Sequence, residues 1–301
     1  MTSITACPLG LMAALAVLAA PDRSCAEEHP GLAFEAIAAA AASGEADLGD
    51  DNSMSWSRAV TRFEAARSSS PARSIGVQLE FGRTGYDFGS DTLGQDSLDI
   101  DEFSLSLPMR IPLGEEAGAF LTPSVSYAGE SGVDFDEGAS YGLLAGVAWR
   151  LGPDLMLGPA LGAQSTLRDE TAFFPFLIVD WRFAERWSLS TGSGFAASRG
   201  PGLRLAHHAS DALEFGIEAR YEQFEFRLDE DHAVSDGIGT DSSIPVVVTG
   251  RWSPNDRVSV SGFAGVALAG SITFDDEDDR KVYDEDYDAA PLVGVAARIA
   301  F

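Results

Sequence analysis

Five arginines occupy equivalent places in this chain. Arg110, Arg150, Arg182, Arg251 and Arg298 each sit on the polar face of a stretch in which apolar and polar residues alternate. Each lies within about three residues of the end of its stretch. Guanidinium forks pair bidentately with carboxylates, and Glu80, Asp180, Glu214 and Glu218 lie on the same kind of face. Converging without partners, the five cations would instead hold a positive potential and draw in small anions. Pairing into a scaffold is the expectation, because enclosed charges are normally paired.

Other reactive side chains form weaker patterns. Asp275 to Asp279, Asp284 to Asp286 and Asp288 make a dense acidic run. It lacks the Gly and terminal Glu of an EF-hand loop, so it reads as a solvated loop that could bridge divalent cations to phosphorylated groups. His207 lies one segment after Ser190 and Ser193, but only Ser193 shares its face, and no nucleophile motif surrounds it. His232 is the one histidine among the acidic connections, and no acid–base pair stands out there. No cofactor, metal site or catalytic residue is therefore expected. The formal charge of −27 argues against nucleic acid, which needs clustered Lys and Arg.

The elements that carry these residues alternate with period 2. Ile75, Val77, Leu79 and Phe81 share one face, as do Phe103, Leu105, Leu107, Met109, Ile111 and Leu113. From residue 72 onward the pattern predicts twelve strands: 74–88, 98–113, 119–130, 139–151, 155–168, 172–183, 187–198, 202–209, 212–228, 243–252, 257–273 and 288–301. Short connections such as Gly152-Pro153-Asp154 and Ala184-Glu185-Arg186 alternate with mostly longer acidic ones such as 229–242 and 275–287. Short inner turns, longer outer loops and an even strand count are the pattern of an antiparallel, up-and-down transmembrane β-barrel. After the first residues no apolar run of ~18 occurs, so a helical membrane protein is excluded.

Aromatic residues sort to two ends of these strands. Trp149, Trp181, Phe183, Trp187, Trp252 and Phe301 fall beside short turns. Phe88, Tyr127, Tyr141, Phe195, Phe226, Phe274 and Tyr287 fall beside long loops. Two girdles at two membrane–water interfaces account for both sets. Small residues line several inward faces, among them Gly142, Gly146 and Ala148; Gly158, Ala160 and Gly162; and Gly265, Ala267 and Ala269. They would leave an open lumen, ease curvature, or make room for an amino-terminal plug.

The amino-terminal region differs. Gly10 to Ala20 is an apolar run of signal-peptide length, and Ser24-Cys25-Ala26 offers a cleavage site, giving a signal peptide over 1–26. Cleavage would remove Cys7 and Cys25, the only cysteines. Residues 27–71 are Ala-rich and then show helical spacing in Trp56, Val60 and Phe63, so they read as a periplasmic linker or helix that could plug the lumen. The barrel is assigned to 72–301.

The last segment alternates Pro291, Val293, Val295, Ala297, Ile299 and Phe301 against Leu292, Gly294, Ala296, Arg298 and Ala300. It resembles the final strand of bacterial outer-membrane barrels, departing at Ala296, where Gly is usual. Ile244-Pro245-Val246-Val247-Val248, Phe263 to Gly270, and Asp286 to Pro291 resemble the carboxy-terminal half of a family of uncharacterised bacterial outer-membrane β-barrel proteins. The resemblance implies a barrel among outer-membrane lipids, with Phe301 as an assembly signal read by the barrel-assembly machinery. It implies no catalytic or ligand-binding residue. A passive pore or small-solute transporter is the expectation. A closed structural or surface-interaction barrel is the alternative, and an outer-membrane lipase a remote one.

Overall fold

The computed structural model describes residues 31–49, 52–70, 72–92, 95–168, 170–191 and 201–301. Every regular element in them is a strand. In order these are β1 (Gly31–Ser43), β2 (Ala46–Gly49), β3 (Asn52–Ser70), β4 (Arg73–Thr92), β5 (Gln95–Ser106), β6 (Met109–Pro112), β7 (Ala117–Glu130), β8 (Ala139–Arg150) and β9 (Leu155–Ser165). There follow β10 (Thr171–Ala184), β11 (Trp187–Thr191), β12 (Gly202–Ser210), β13 (Leu213–Arg220), β14 (Glu222–Arg227), β15 (Ile238–Asn255), β16 (Val258–Asp275), β17 (Lys281–Tyr287) and β18 (Ala290–Ala300). The pairs β1–β2, β5–β6, β13–β14 and β17–β18 each form one stave, so the eighteen strands make fourteen staves.

Neighbouring staves are antiparallel, and the sheet closes where β1 pairs with both β18 and β3. Ala39 stands opposite Ala296 on one side and Val60 on the other. Closure joins the two ends of the sheet, the condition for crossing a bilayer with strands.

The count corrects the expected twelve strands to fourteen. The two additional staves come from residues 31–70, which form wall strands rather than a linker or helix. Alanine favours helices locally, but pairing along both edges of β1 and β3 outweighs that preference. In β3, Trp56, Arg58, Val60 and Arg62 face inward while half-exposed Phe63 faces outward, so the apparent helical spacing mixes the two faces. The expected signal peptide and both cysteines lie outside the described residues. The strand expected over 187–198 is described as Trp187–Thr191.

The outer wall is apolar. Val77, Phe81, Leu143, Leu161, Leu177, Ile217 and Val248 are among its exposed side chains. At the short-turn end Trp149, Trp181, Phe183, Trp187, Trp252 and Phe301 all face outward, forming the inner girdle. The outer girdle differs from expectation. Tyr127 and Tyr141 face outward, joined by Phe135, which stacks on Tyr127 at 5.6 Å, and by exposed Phe173. Phe88, Phe226, Phe274 and Tyr287 instead point inward and are buried. Phe195 lies outside the described residues.

The small inward residues serve in two ways. Gly146 and Gly162 seat rings from the adjoining stave: a Cβ on Gly162 would lie 1.7 Å from Phe174, and one on Gly146 2.5 Å from Phe120. Gly158 and Gly265 let backbones approach, since a Cβ there would lie 1.9 Å from the Val147 carbonyl and 2.0 Å from that of Val246. The second role is the expected easing of curvature. Seats for aromatic rings are what the first set provides.

Candidate functional site: the lumen and its outer mouth

The lumen carries paired charges at several heights. Arg62 Nη2 meets Glu80 Oε2 at 2.5 Å, and Arg58 Nη2 meets Glu102 Oε2 at 2.8 Å. Arg220 Nη2 meets Glu218 at 2.5 Å, two residues along the same strand. Arg298 Nη2 meets Glu35 at 2.5 Å. Glu214 is a hub, taking Arg204, His208 Nδ1 at 3.3 Å and Arg251 Nη1 at 3.8 Å.

Of the pairs assembled from sequence, Arg251 and Glu214 are brought together. Arg110 and Arg298 both lie within electrostatic reach of Glu64. Arg150 and Arg182 are exposed at the inner end, and Asp180 stands opposite Ser190. Glu80 and Glu218 find Arg62 and Arg220 rather than members of the expected ring. Sequence reading missed Glu35, Arg58 and Arg62 because they sit in the segment taken for a linker. The signal was present: Arg58, Arg62 and Glu64 share one face of a period-2 pattern.

One cluster has the order of a hydrolytic triad. Ser188 Oγ lies 3.3 Å from His208 Nε2, whose Nδ1 faces Glu214. Acyl transfer also needs N–H donors for an oxyanion. Ser188 stands opposite Ala206 of β12, and on its other edge the ladder to β10 shifts register between Leu189 and Trp187; the bonds of both ladders run strand to strand, and neither aims a donor pair at Ser188 Oγ. The cluster is part of the ion-pair network. His207, the residue weighed for a lipase, faces outward and packs against Trp187 with centroids 4.7 Å apart, which suits an interfacial position. Ser193 lies outside the described residues.

The outer mouth is built differently. The stave of β13 and β14 holds its register with β15 throughout, but beyond Tyr221 it leaves the wall. Arg227 at the end of β14 pairs in parallel with Gly129 of β7, six staves away. Both faces of β14 are covered. Phe224 and Phe226 pack into an apolar cluster with Met54, Tyr86, Phe88, Ile100 and Phe274. On the other face Glu225 pairs with Arg168, which also reaches Asp275 at 2.5 Å. Below the cluster Tyr86 and Tyr287 donate to Asp241 at 3.1 and 2.8 Å. β14 is thus a partition inside the mouth.

The connection after β14 completes it. Leu228 and Val234 are buried in the same apolar cluster, and His232 beside it is 7% exposed. Arg227 donates to the carbonyls of Glu137, Asp236 and Leu167, tying this connection to two others. In the acidic run, Asp276 accepts from the N–H groups of Asp278 and Arg280, and Arg280 and Lys281 pair with Asp278 and Asp284. Among the described residues no cluster of His, Cys, Asp and Glu is arranged to hold a metal.

The sequence matches no protein-family model and no curated protein. The fold is similar to that of an outer membrane channel from Pseudomonas putida F1, at 11% identity and TM-score 0.52, over 93% of this chain and 99% of that one. A FadL homologue from Pseudomonas aeruginosa (10% identity, TM-score 0.47, 89% and 90% covered) and the Pseudomonas putida toluene transporter TodX (9%, 0.44, 90% of each) follow. Closed wall, apolar belt and girdles define the class: the chain is an outer-membrane β-barrel.

Proposed function

We propose that the protein is a passive channel for small solutes, without catalytic activity. The observation that carries this reading is the lining of the lumen with ion pairs from Arg298–Glu35 near the inner end to Arg58–Glu102 under the partition. A polar interior inside an apolar outer wall is the arrangement of porin-type barrels. The fold it shares with the Pseudomonas putida channel supports the same reading. The resemblance of residues 243–301 to the uncharacterised barrel family supports the barrel and its membrane placement. Lipid headgroups, with divalent cations at 275–288, and a barrel-assembly machinery reading Phe301 are the partners this implies. The test is single-channel recording of the refolded protein in planar bilayers. Discrete conductance steps are expected, and their absence at every pH and voltage would remove the channel reading. The filled outer mouth favours a second reading, a closed structural barrel; such a barrel would show no steps even with residues 228–237 excised.

A further inference from the structure

The outer mouth is capped by the connection 228–237 that follows β14, with Leu228 and Val234 seated in the apolar cluster that several staves share. Besides these two side chains, the anchors of the connection and of the end of β14 beneath it are polar. Arg227 reaches three carbonyls, the Asp229 N–H donates to Glu130 Oε2 at 3.1 Å, and Glu225 holds Arg168. At its centre Val234 N–H donates to His232 Nδ1 at 3.0 Å. That bond requires an unprotonated Nδ1, so the imidazole is neutral in this arrangement. Placing a proton there would turn the acceptor into a donor facing a donor, beside buried Val234 and Leu228.

We propose that the connection 228–237 is a gate over the outer mouth and that protonation of His232 releases it. The proposal rests on the channel reading. The groups facing His232 are Glu130 from the end of β7, Asp229 from the loop, and the uncharged Phe274 ring of β16 at 6.3 Å. Arg227 and Arg168 nearby are engaged with carbonyls and with Glu225 and Asp275. Burial lowers the His232 pKa, and Glu130 and Asp229 oppose that only in part. A group whose pKa falls on closure favours the closed form above its ordinary value, about 6.5, and loses that contribution as the pH drops through the lowered value. Opening is therefore an acid response.

The chain after residue 26 has no cysteine, so single thiols report the movement. Val234→Cys is buried and Ser235→Cys exposed in the closed form. Labelling of Val234→Cys by an impermeant maleimide, relative to Ser235→Cys, should rise severalfold between about pH 7.5 and about pH 5. Adding His232→Gln, which cannot take the proton, should abolish the rise. A flat ratio, or an unchanged rise with His232→Gln, would overturn the gate. Conductance is recorded on the same samples. Acid-dependent labelling with no conductance step at any pH would leave the movement standing and remove the channel reading alone.

Discussion

At the scale of single residues, several lumen pairs join neighbouring staves, as Arg62 of β3 joins Glu80 of β4. Arg62 is 8% and Glu80 9% exposed, whereas Arg150 faces solvent at the inner end. Breaking an enclosed pair costs about 3–5 kcal/mol when the survivor is left charged and unpartnered, and among the described residues Glu80 would keep only Arg58 Nη2, at 3.8 Å. A surface change is usually within about 0.5 kcal/mol. Arg62→Gln should therefore lower the urea midpoint of the refolded barrel clearly and Arg150→Gln hardly at all. Equal midpoints would mean that water reaches Glu80 freely. Phe88 and Phe226 were legible at this scale and misread. Each has the parity of the inward residues of its strand, Glu80 and Tyr86 in one case, Glu218 in the other. Phe274 and Tyr287 were not legible. Their faces invert at a paired break, where Ala269 takes φ 49° and Asp288–Ala289 interrupts the opposite stave. A one-residue slip moves every later side chain across the sheet, and nothing in the local composition announces it.

At the scale of elements, rings and glycines on adjacent staves fit as pairs. The Phe174 ring lies against Gly162, so Gly162→Val should overpack the wall at a cost of about 1–3 kcal/mol. Phe174→Ala in the same chain should return most of that loss, more than it returns to a variant altered at Gly146. Absence of this coupling in a double-mutant cycle would place the Phe174 ring elsewhere. Strands after residue 72 were readable because their outward faces carry runs of apolar residues, such as Ile75, Val77, Leu79 and Phe81. β1 was not, because the unbroken run from Ala38 to Ala42 carries no contrast between faces. β14 reads as the end of an ordinary strand. Its departure into the lumen depends on β7 and on connections far away in sequence.

At the scale of the whole molecule, residues 31–70 supply two of fourteen staves. Deleting them would expose the edges of β4 and β18 to lipid, where unsatisfied backbone groups are costly. The deletion should abolish the heat-modifiable band of a folded barrel in detergent gels. A folded, more conductive product would instead show that these residues obstruct the pore from within. Barrel architecture and membrane placement followed from alternation and turn lengths. The closed mouth did not, because it arises from contacts between staves on opposite sides of the ring. The seam between β1 and β18 bears on how fast the ring forms. Ala39 and Ala296, which pair there, are about 260 positions apart. Each doubling of a loop adds about 0.6 kcal/mol to its closure, so the seam starts with an entropic deficit of several kcal/mol relative to any hairpin in the wall. Hairpins can zip in sequence, but the seam waits for both ends of the sheet to arrive, which makes it the natural slow step of folding.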